Sequence, residues 1–236
     1  WNFLILLDSL CISVIVLLGV LEFRAVPRQH IGFYCNDPKI SFKFKGDTIS
    51  NSFLIFGCLL IPIIVVCKSS QKILAFIKQI YLFLMWIAEF LCYPASSYAT
   101  ELGQFLIGSV SLLFTCEVIK TVIGEPRPHF LDTCKPREAE NCTDGYVEKY
   151  TCTNTNVSDW SILDSSRSFP SGHSCLSMHT YWFLLCYIQR RLPDRSIMLK
   201  PWLQLLMCMW TVVCSLTRLV DNRHHWWDVL AGIIMG

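Results

Sequence analysis

The stretch SFPSGHSCLSMHTYWFLLCYI, Ser168–Ile188, places a proline, a glycine and a histidine directly before a long apolar run. Such a run is typical of a helix that enters a lipid bilayer. A helix of this kind gains nothing structurally from a histidine in its first turn, because a polar ring is costly to bury. The stretch therefore raises the question of what chemistry His173 serves.

Hydrophobic residues make up 53% of the 236 residues and charged residues only 16%, which predicts a membrane protein rather than an ordinary soluble domain. A spanning helix needs about 20 apolar residues. We predict one all-α, polytopic membrane domain over residues 1–236, with a sixth helix that begins at Trp226 and is truncated at Gly236. The five clear apolar spans are Trp1–Val20, Ser52–Cys67, Ala99–Ile119, Ser174–Ile188 and Pro201–Leu216. Trp1–Val20 lacks the basic start and the cleavage site of a signal peptide, so we expect it to be retained.

One further apolar block, Ile73–Tyr93, is long enough to span but contains Lys78, Gln79 and Glu89. A charge near the centre of a span costs about 2.5–3.5 kcal/mol on insertion scales, and less near its ends. The block could span, lie along the membrane interface or extend the helix predicted at Ser52–Cys67. The residues themselves leave these three alternatives open.

The polar segment between Lys120 and Ser171 is predicted to lie on the extracellular or lumenal side. It holds two glycosylation sequons, and cysteines that could form disulfides only in an oxidising compartment. These residues are Asn141, Asn156, Cys134, Cys142 and Cys152. The loop QRRLPDRSIMLK is rich in basic residues, as expected of a cytosolic loop. The segment Arg24–Ser50 holds five basic residues, which taken alone would place it inside.

Three short motifs meet on the predicted outer side. KTVIGEPRP supplies Lys120 and Arg127, PSGH begins the next span, and TRLVDNRHHWWD supplies Arg218, His224 and Asp228. The intervening helices return the chain to the same membrane face each time. Acidic residues are few in these motifs, so we expect the ligand to be a strongly anionic group.

Phosphate fits these residues. Lys120, Arg127 and Arg218 could neutralise its oxygens, the arginines through a bidentate fork. Ser171 and Gly172 are predicted at a helix N-terminus, where the helix dipole favours an anion.

The two histidines are predicted to share the chemistry. Asp228 lies four residues after His224, hence on the same helix face if the helix has begun by then. Such a carboxylate would hold one imidazole N–H and leave the other nitrogen as nucleophile. His173 would then protonate the leaving alkoxide as general acid.

Each of these residues also has a simpler interpretation. A lysine or arginine at the end of a span is commonly an anchor at the interface, and PSGH alone could be an N-cap. His225, Trp226 and Trp227 suit an interfacial aromatic belt, and we expect His129 and His179 to be surface or interface residues. A clustered Cys/His metal site, paired carboxylates and a P-loop are not seen in the sequence, so we predict no metal, no cofactor and no nucleic-acid partner.

Together the three motifs resemble those of the type 2 phosphatidate phosphatase superfamily. The first is a lysine followed after six residues by Arg-Pro, and the second is PSGH. The third is a Ser-Arg pair followed by a His and an Asp, and here Thr217 replaces the serine. GFYCND, RPHFLDTCKP, SFPSGHSCLSM and HHWWDV are similar to segments of the animal lipid phosphate phosphatases, including the wunen-type proteins of insects. The likeness runs from about Ile31 to the end of the chain. Ile73–Tyr93 departs from it, because it is longer than the family's connection between the second and third spans. Thr217 keeps a hydroxyl group, so this departure leaves the expectation of phosphate binding unchanged.

This resemblance implies a six-helix membrane bundle with cytosolic termini and an outward-facing site, which puts Arg24–Ser50 outside. It also implies hydrolysis of phosphatidate, lysophosphatidate, sphingosine 1-phosphate or ceramide 1-phosphate through a phosphohistidine. We expect a glycoprotein of the plasma membrane, or of an internal membrane with the same topology, and the resemblance is compatible with a homo-oligomer. Two alternatives stand beside this: a non-catalytic lipid-binding relative, and a catalyst on the same scaffold that acts on a sugar phosphate or transfers a head group. Lys120, His173 and His224 are all present, which favours the phosphatase over the non-catalytic relative.

Overall fold

The computed structural model describes residues 31–69, 97–140, 142–191 and 198–236. These residues are mostly helical, in agreement with the all-α prediction, and include one two-stranded antiparallel sheet. The predicted span Trp1–Val20, the block Ile73–Tyr93 and the sequon residue Asn141 lie outside the described residues.

The elements follow each other in a simple order. A short strand and a single 3-10 turn precede two helices joined by a π-helical turn, and a long helix comes next. Two short helices and the second strand then form the outer segment, and three longer helices end the chain. They are β1 (Phe33–Tyr34), the turn Pro38–Ile40, α1 (Asn51–Ile55), the π turn Phe56–Leu60, α2 (Ile61–Ser69), α3 (Ser97–Ile123), α4 (Phe130–Cys134), the 3-10 turn Arg137–Ala139, β2 (Tyr146–Val147), α5 (Asp159–Ser165), α6 (Gly172–Arg191), α7 (Leu199–Val220) and α8 (Trp226–Met235).

Every predicted span within the described residues falls on helical structure, and α8 begins at Trp226 as expected. By length and apolar composition, two helical stretches in this part of the chain could cross a membrane, Glu101–Ile123 and Leu199–Val220. Asn51–Val66 and Trp226–Met235 are apolar but shorter. The positions of these helices are therefore confirmed, whereas a six-span bundle stays a prediction.

The outward face of α7 is apolar and exposed. Its large side chains at Trp202, Leu205, Met209 and Leu216 are each about half exposed or more. A soluble protein rarely leaves so many large apolar side chains on one helix in contact with water. This face therefore suits contact with lipid.

Helix α6 lies at the centre and packs against α3, α7 and α8. The contact with α8 depends on Gly232 and Gly236. A Cβ at Gly232 would lie 2.5 Å from the Ser171 carbonyl oxygen, and one at Gly236 would lie 2.2 Å from that of Cys175. Only glycine permits this approach, which is how small residues spaced by four bring helices together.

The segment before α1 folds onto the long outer segment. Strand β1 pairs with β2, and a disulfide joins Cys35 to Cys142 while a second joins Cys134 to Cys152. The three cysteines predicted to pair in the outer segment are thus all bonded, although Cys35 was not among the expected partners. Residues 31–50 and the outer segment therefore share one side of the protein, as the resemblance implies and against the basic charge count.

Candidate active site

His224 lies in the loop between α7 and α8 and is almost fully buried. Its Nδ1 lies 3.5 Å from Asp228 Oδ2, and its Nε2 lies 3.3 Å from Nη1 of Arg127. A guanidinium only donates hydrogen bonds. Nε2 must therefore accept the bond and carry a lone pair, so we assign the proton to Nδ1, beside the carboxylate.

The position of Asp228 has a cause other than the one expected. Helix α8 starts at Trp226, so His224 precedes the helix and the predicted shared helix face is wrong. Instead Asp228 caps the helix: its Oδ2 accepts from the backbone N–H of His225 at 2.9 Å and from the Ser168 hydroxyl. The capping geometry turns the carboxylate back towards His224.

Ser171 and Gly172 stand at the N-terminus of α6, as predicted. The Ser171 Oγ accepts from the backbone N–H of Ser174 at 3.4 Å, and the Ser171 N–H donates to the Asp228 carbonyl at 3.1 Å. A Cβ at Gly172 would lie 3.8 Å from Nζ of Lys120. The lysine ammonium thus sits beside the helix end, where the first backbone N–H groups of a helix have no partner within the helix.

His173 and Arg218 converge on one backbone carbonyl. The Ile49 oxygen lies 3.1 Å from Nε2 of His173 and accepts from Nη2 of Arg218 at 3.0 Å. A carbonyl only accepts, so we assign a proton to Nε2 of His173. The segment before α1 therefore orients one residue from each of the last two motifs.

Carboxylates are more numerous here than the motifs predicted, which corrects the expectation that acidic residues are few. Each of the three predicted phosphate-binding cations is paired with an acid. The pairs are Lys120 with Glu117 at 2.7 Å, Arg127 with Asp164 at 2.7 Å, and Arg218 with Asp47 at 2.9 Å and Asp221 at 3.2 Å. Glu117, Asp47 and Asp164 lie outside the three motifs, and Asp221 lies within the third but is not one of its motif positions. The spacing of the motifs therefore did not reveal them.

The electrostatics of this region keep the His224 ring neutral. Burial, and then the positive charges of Arg127 and Lys120, lower the pKa of His224 well below its usual value. For Asp164, burial would raise the pKa, but Arg127 and Arg223 outweigh it and hold the pKa below its usual value. A neutral imidazole with a free lone pair is the form that can act as a nucleophile.

Four residues of the site were not predicted. Ser168 connects Asp228 to the neighbourhood of His224, with Oγ 3.5 Å from Nδ1. Asp164 binds both Arg127 and Arg223, and Asp47 binds both Arg218 and Arg223. Ser168 begins the stretch Ser168–Ile188, three residues before Ser171. Arg223 directly precedes His224 within the third motif, whereas Asp47 and Asp164 carry no sequence signal, because only the fold brings them here.

The structure also locates His129, expected at the surface or interface, and Thr217, which replaces the motif serine. His129 is buried rather than on the surface: its ring packs at a tilt against Phe44, and its Nδ1 lies 2.7 Å from the Thr133 hydroxyl. The Thr217 hydroxyl donates to the Cys214 carbonyl in its own helix at 3.0 Å. Within the described ranges, no group of three His, Cys, Asp or Glu side chains is placed to hold a metal ion.

Comparisons with known proteins identify the family of this chain. A family model described as the PAP2 superfamily matches residues 101–236, which include all three motifs. The chain is 32% identical over 237 residues to phospholipid phosphatase 1 of Mus musculus, covering 98% of this chain and 79% of that protein. It is 32% identical over 238 residues to phospholipid phosphatase 2 of Rattus norvegicus, covering 100% of this chain and 82% of that one. No solved structure matches the chain significantly. With its three motifs gathered around His224, this chain belongs to the PAP2 superfamily.

Proposed function

We propose that this protein is an integral membrane lipid phosphate phosphatase. It hydrolyses phosphate monoesters of lipids such as phosphatidate, lysophosphatidate, sphingosine 1-phosphate and ceramide 1-phosphate, at the extracellular or lumenal face. The relatives named phospholipid phosphatases support the class of reaction. The polar cluster at the ends of apolar helices supports a substrate whose tails stay in the bilayer while its head group reaches water.

One observation carries the proposal: the Nε2 lone pair of His224. That atom faces a guanidinium, the ring is neutral, and the opposite nitrogen faces a buried carboxylate. A histidine placed only for structure would gain little from a guanidinium directed at its acceptor nitrogen. For a nucleophile the guanidinium has a function, because it would bind the oxygens of the phosphate that Nε2 attacks.

Phosphate binding would use Lys120, Arg127, Arg218, Ser171 and Gly172. Nη1 of Arg127, which now donates to Nε2 of His224, would donate to a phosphate oxygen and bring phosphorus to that nitrogen. The N-terminus of α6 would add backbone N–H groups and the positive end of its dipole. These donors would also stabilise the negative charge that develops in the transition state.

The reaction would proceed in two steps. Nε2 of His224 attacks phosphorus and the P–O bond to the lipid breaks. His173, protonated when the phosphate dianion is bound beside it, gives its proton to the leaving alkoxide. The phosphohistidine keeps the Nδ1–H, and Asp228 stabilises its positive charge. Neutral His173 then takes a proton from water, the hydroxide attacks phosphorus, and inorganic phosphate leaves with His224 neutral again.

The histidine roles can be separated by mutation. His224→Ala should abolish turnover and any trapped phosphohistidine. His173→Ala should slow hydrolysis of a lipid phosphate, whose alkoxide needs a proton, far more than that of an activated aryl phosphate. Enzyme mixed with labelled substrate and quenched in alkali would detect the phosphoenzyme, because a phosphohistidine survives alkali but hydrolyses in acid. If His224→Ala kept the label and His173→Ala lost it, the two assignments would be reversed.

A panel of lipid phosphates, with release of inorganic phosphate as the readout and EDTA present, tests the substrate class and the expected independence from metals. We expect activity in EDTA on at least one lipid phosphate monoester. Loss of activity in EDTA with recovery on addition of a divalent ion would contradict metal independence. Absence of phosphate release from every lipid, with release from a sugar phosphate, would contradict the substrate class.

A further inference from the structure

Glu125 is an acidic residue inside the KTVIGEPRP motif, between the motif lysine and the motif arginine, and the chemistry described above does not use it. It follows the end of α3 and is half-buried. Its backbone carbonyl accepts from the Ser168 N–H at 2.8 Å, and its Oε1 accepts from the Trp227 indole N–H at 2.9 Å. These two bonds fix the side chain against the first turn of α8.

One carboxylate oxygen of Asp228 lacks a hydrogen-bond donor. Its Oδ2 accepts from the His225 N–H and the Ser168 hydroxyl, but Oδ1 is buried and has no hydrogen-bond donor among the described residues. A buried carboxylate oxygen without a donor is costly. The Glu125 carboxyl group lies next to Asp228, because Ser168 binds both residues and Trp227, the neighbour of Asp228, donates to Glu125 Oε1. Two ionised carboxylates are both acceptors, so a hydrogen bond between these two carboxyl groups requires one proton.

The proton belongs to Glu125. Asp228 already faces three other groups, namely the His225 N–H, the Ser168 hydroxyl and the Nδ1 side of His224. Glu125 faces one donor, Trp227. Burial, and then the negative charge of Asp228, raise the pKa of Glu125 to about 7.

We propose that Glu125 is a positioning residue: in its protonated form it donates a hydrogen bond to Oδ1 of Asp228 and holds that carboxylate against His224. This inference rests on the proposed function, because its catalytic consequence concerns His224 as nucleophile. When Glu125 ionises, Asp228 loses the donor and gains a repelling neighbour. A second negative charge also enters a site that must accept phosphate. Activity should therefore fall as the pH rises through the pKa of Glu125.

The other titratable groups around the carboxyl pair are few in this part of the chain. His225 stacks on the Trp227 ring with centroids 4.5 Å apart, and the Lys39 ammonium lies 5.8 Å from that ring's centroid. His224 lies beside Asp228, and Arg127 lies beyond it. Replacement of Glu125 leaves all of these in place.

Glu125→Gln is the direct test, because the amide can donate permanently to Oδ1 of Asp228 while its oxygen accepts from Trp227. The readout is the ratio of kcat/KM for the variant to that for the wild type, across pH. Substrate ionisation affects both proteins equally and cancels. We expect a ratio near one below about pH 6 that rises ~10-fold per pH unit above about pH 7, because the protonated fraction of Glu125 falls by that factor. The same exchange at the exposed Glu140 should give a flat ratio near one. A flat ratio for Glu125→Gln would overturn the proposal.

Thermal stability provides a readout that does not depend on activity. The folded protein keeps a proton on Glu125 that the unfolded chain releases near pH 4.3, so ionisation opposes folding between about pH 4 and about pH 7. As the pH rises through this window, the wild-type melting temperature should fall relative to that of Glu125→Gln. Above about pH 7 the difference between the two melting temperatures should stay constant. Parallel melting curves would contradict the proposal. A wild type that releases no phosphate from any lipid would contradict the proposed function instead, and the melting curves would still decide the role of Glu125.

A second variant covers the case in which Glu125→Gln does not fold. Trp227→Phe removes the N–H that stabilises ionised Glu125, so the pKa of Glu125 should rise further. The alkaline fall in wild-type kcat/KM should then move to higher pH in Trp227→Phe. An alkaline limb that stays at the same pH would contradict the assignment of this limb to Glu125.

Discussion

Replacement of Gly232 by alanine should disturb the site by displacing Ser171, although Gly232 itself is not among the residues proposed to bind phosphate. The added Cβ would lie 2.5 Å from the Ser171 carbonyl oxygen and 3.0 Å from the Ser174 Cβ. Ordinary van der Waals contact begins at 3.4 Å, so the Ser171 backbone must move by about 0.9 Å. Ser171 is the residue before α6, and its N–H holds the Asp228 carbonyl. The displacement therefore reaches both the predicted anion site and the carboxylate beside His224.

The expected magnitudes differ for stability and activity. Alanine gains about 1 kcal/mol over glycine within a helix, whereas overpacking costs about 1–3 kcal/mol, so the net loss of stability should be at most about 2 kcal/mol. A displacement of about 1 Å in a catalytic arrangement can cost ~100-fold in rate. We therefore expect folded Gly232→Ala protein with kcat/KM reduced ~100-fold on a lipid phosphate.

Gly103→Ala is the matched control. Gly103 lies in α3, and a Cβ there would have nothing within 4 Å, so activity should be unchanged and stability equal or slightly higher. Thermal melting in detergent establishes folding of both variants, and phosphate release gives kcat/KM. If Gly232→Ala stayed within about threefold of the wild type, the close contact between α8 and α6 would not be what positions Ser171 and Asp228.

Three further predictions concern the surroundings of the site. Asp164→Asn should destabilise the fold by about 3 kcal/mol and reduce activity strongly, since it leaves the buried guanidinium of Arg127 without its partner at 2.7 Å; thermal melting and phosphate release would measure this. Cys35→Ser breaks the link to Cys142, so the segment before α1 should become more sensitive to limited proteolysis and activity should fall. Asn156→Gln should increase the gel mobility of protein made in animal cells, because Asn156 is exposed in the outer segment and stands in a sequon, whereas prior glycosidase treatment should remove the difference.

Each of these changes has a control in the same protein. Asp159→Asn alters an exposed carboxylate in the same short helix as Asp164 and should be neutral. Cys186→Ser removes an exposed free thiol and should leave protease sensitivity unchanged. Equal stability losses in the two aspartate variants, or equal cleavage of the two cysteine variants, would contradict the reasoning. Unchanged mobility of Asn156→Gln would show that this sequon is not used.

The sequence predicted the helices and the motif residues well, because both depend on local patterns. Apolar runs of span length mark α3 and α7, and PSGH marks the start of α6. The spacing of the motifs also predicted that Lys120 and Gly172 would lie close together. These inferences need only that successive helices return the chain to the same face.

Partners supplied from distant parts of the chain could not be predicted. Asp47 reaches Arg218 across a separation of 171 residues, and the Ile49 carbonyl reaches the same guanidinium across 169. Neither follows from a periodicity or a spacing, since they depend on how the first outer segment folds over the helix ends. The relation of His224 to Asp228 was predicted as a contact, but its cause is a helix cap rather than a helix face. Such a cap depends on where α8 begins, which is the least certain feature of a sequence-based assignment.

The ion pairs of the site make it resemble an ion exchanger. Asp164 and Asp221 are mostly buried, with 18% and 6% of their side chains exposed, so they are the fixed charges that stay with their arginines. Glu117 and Asp47 are 42% and 30% exposed and can turn to solvent, so they are the displaceable counterions. The cations can therefore be held together without mutual repulsion before any ligand arrives. A phosphate dianion carries enough charge to replace both mobile carboxylates at once, whereas chloride replaces at most one, so we expect this exchange to favour doubly charged head groups.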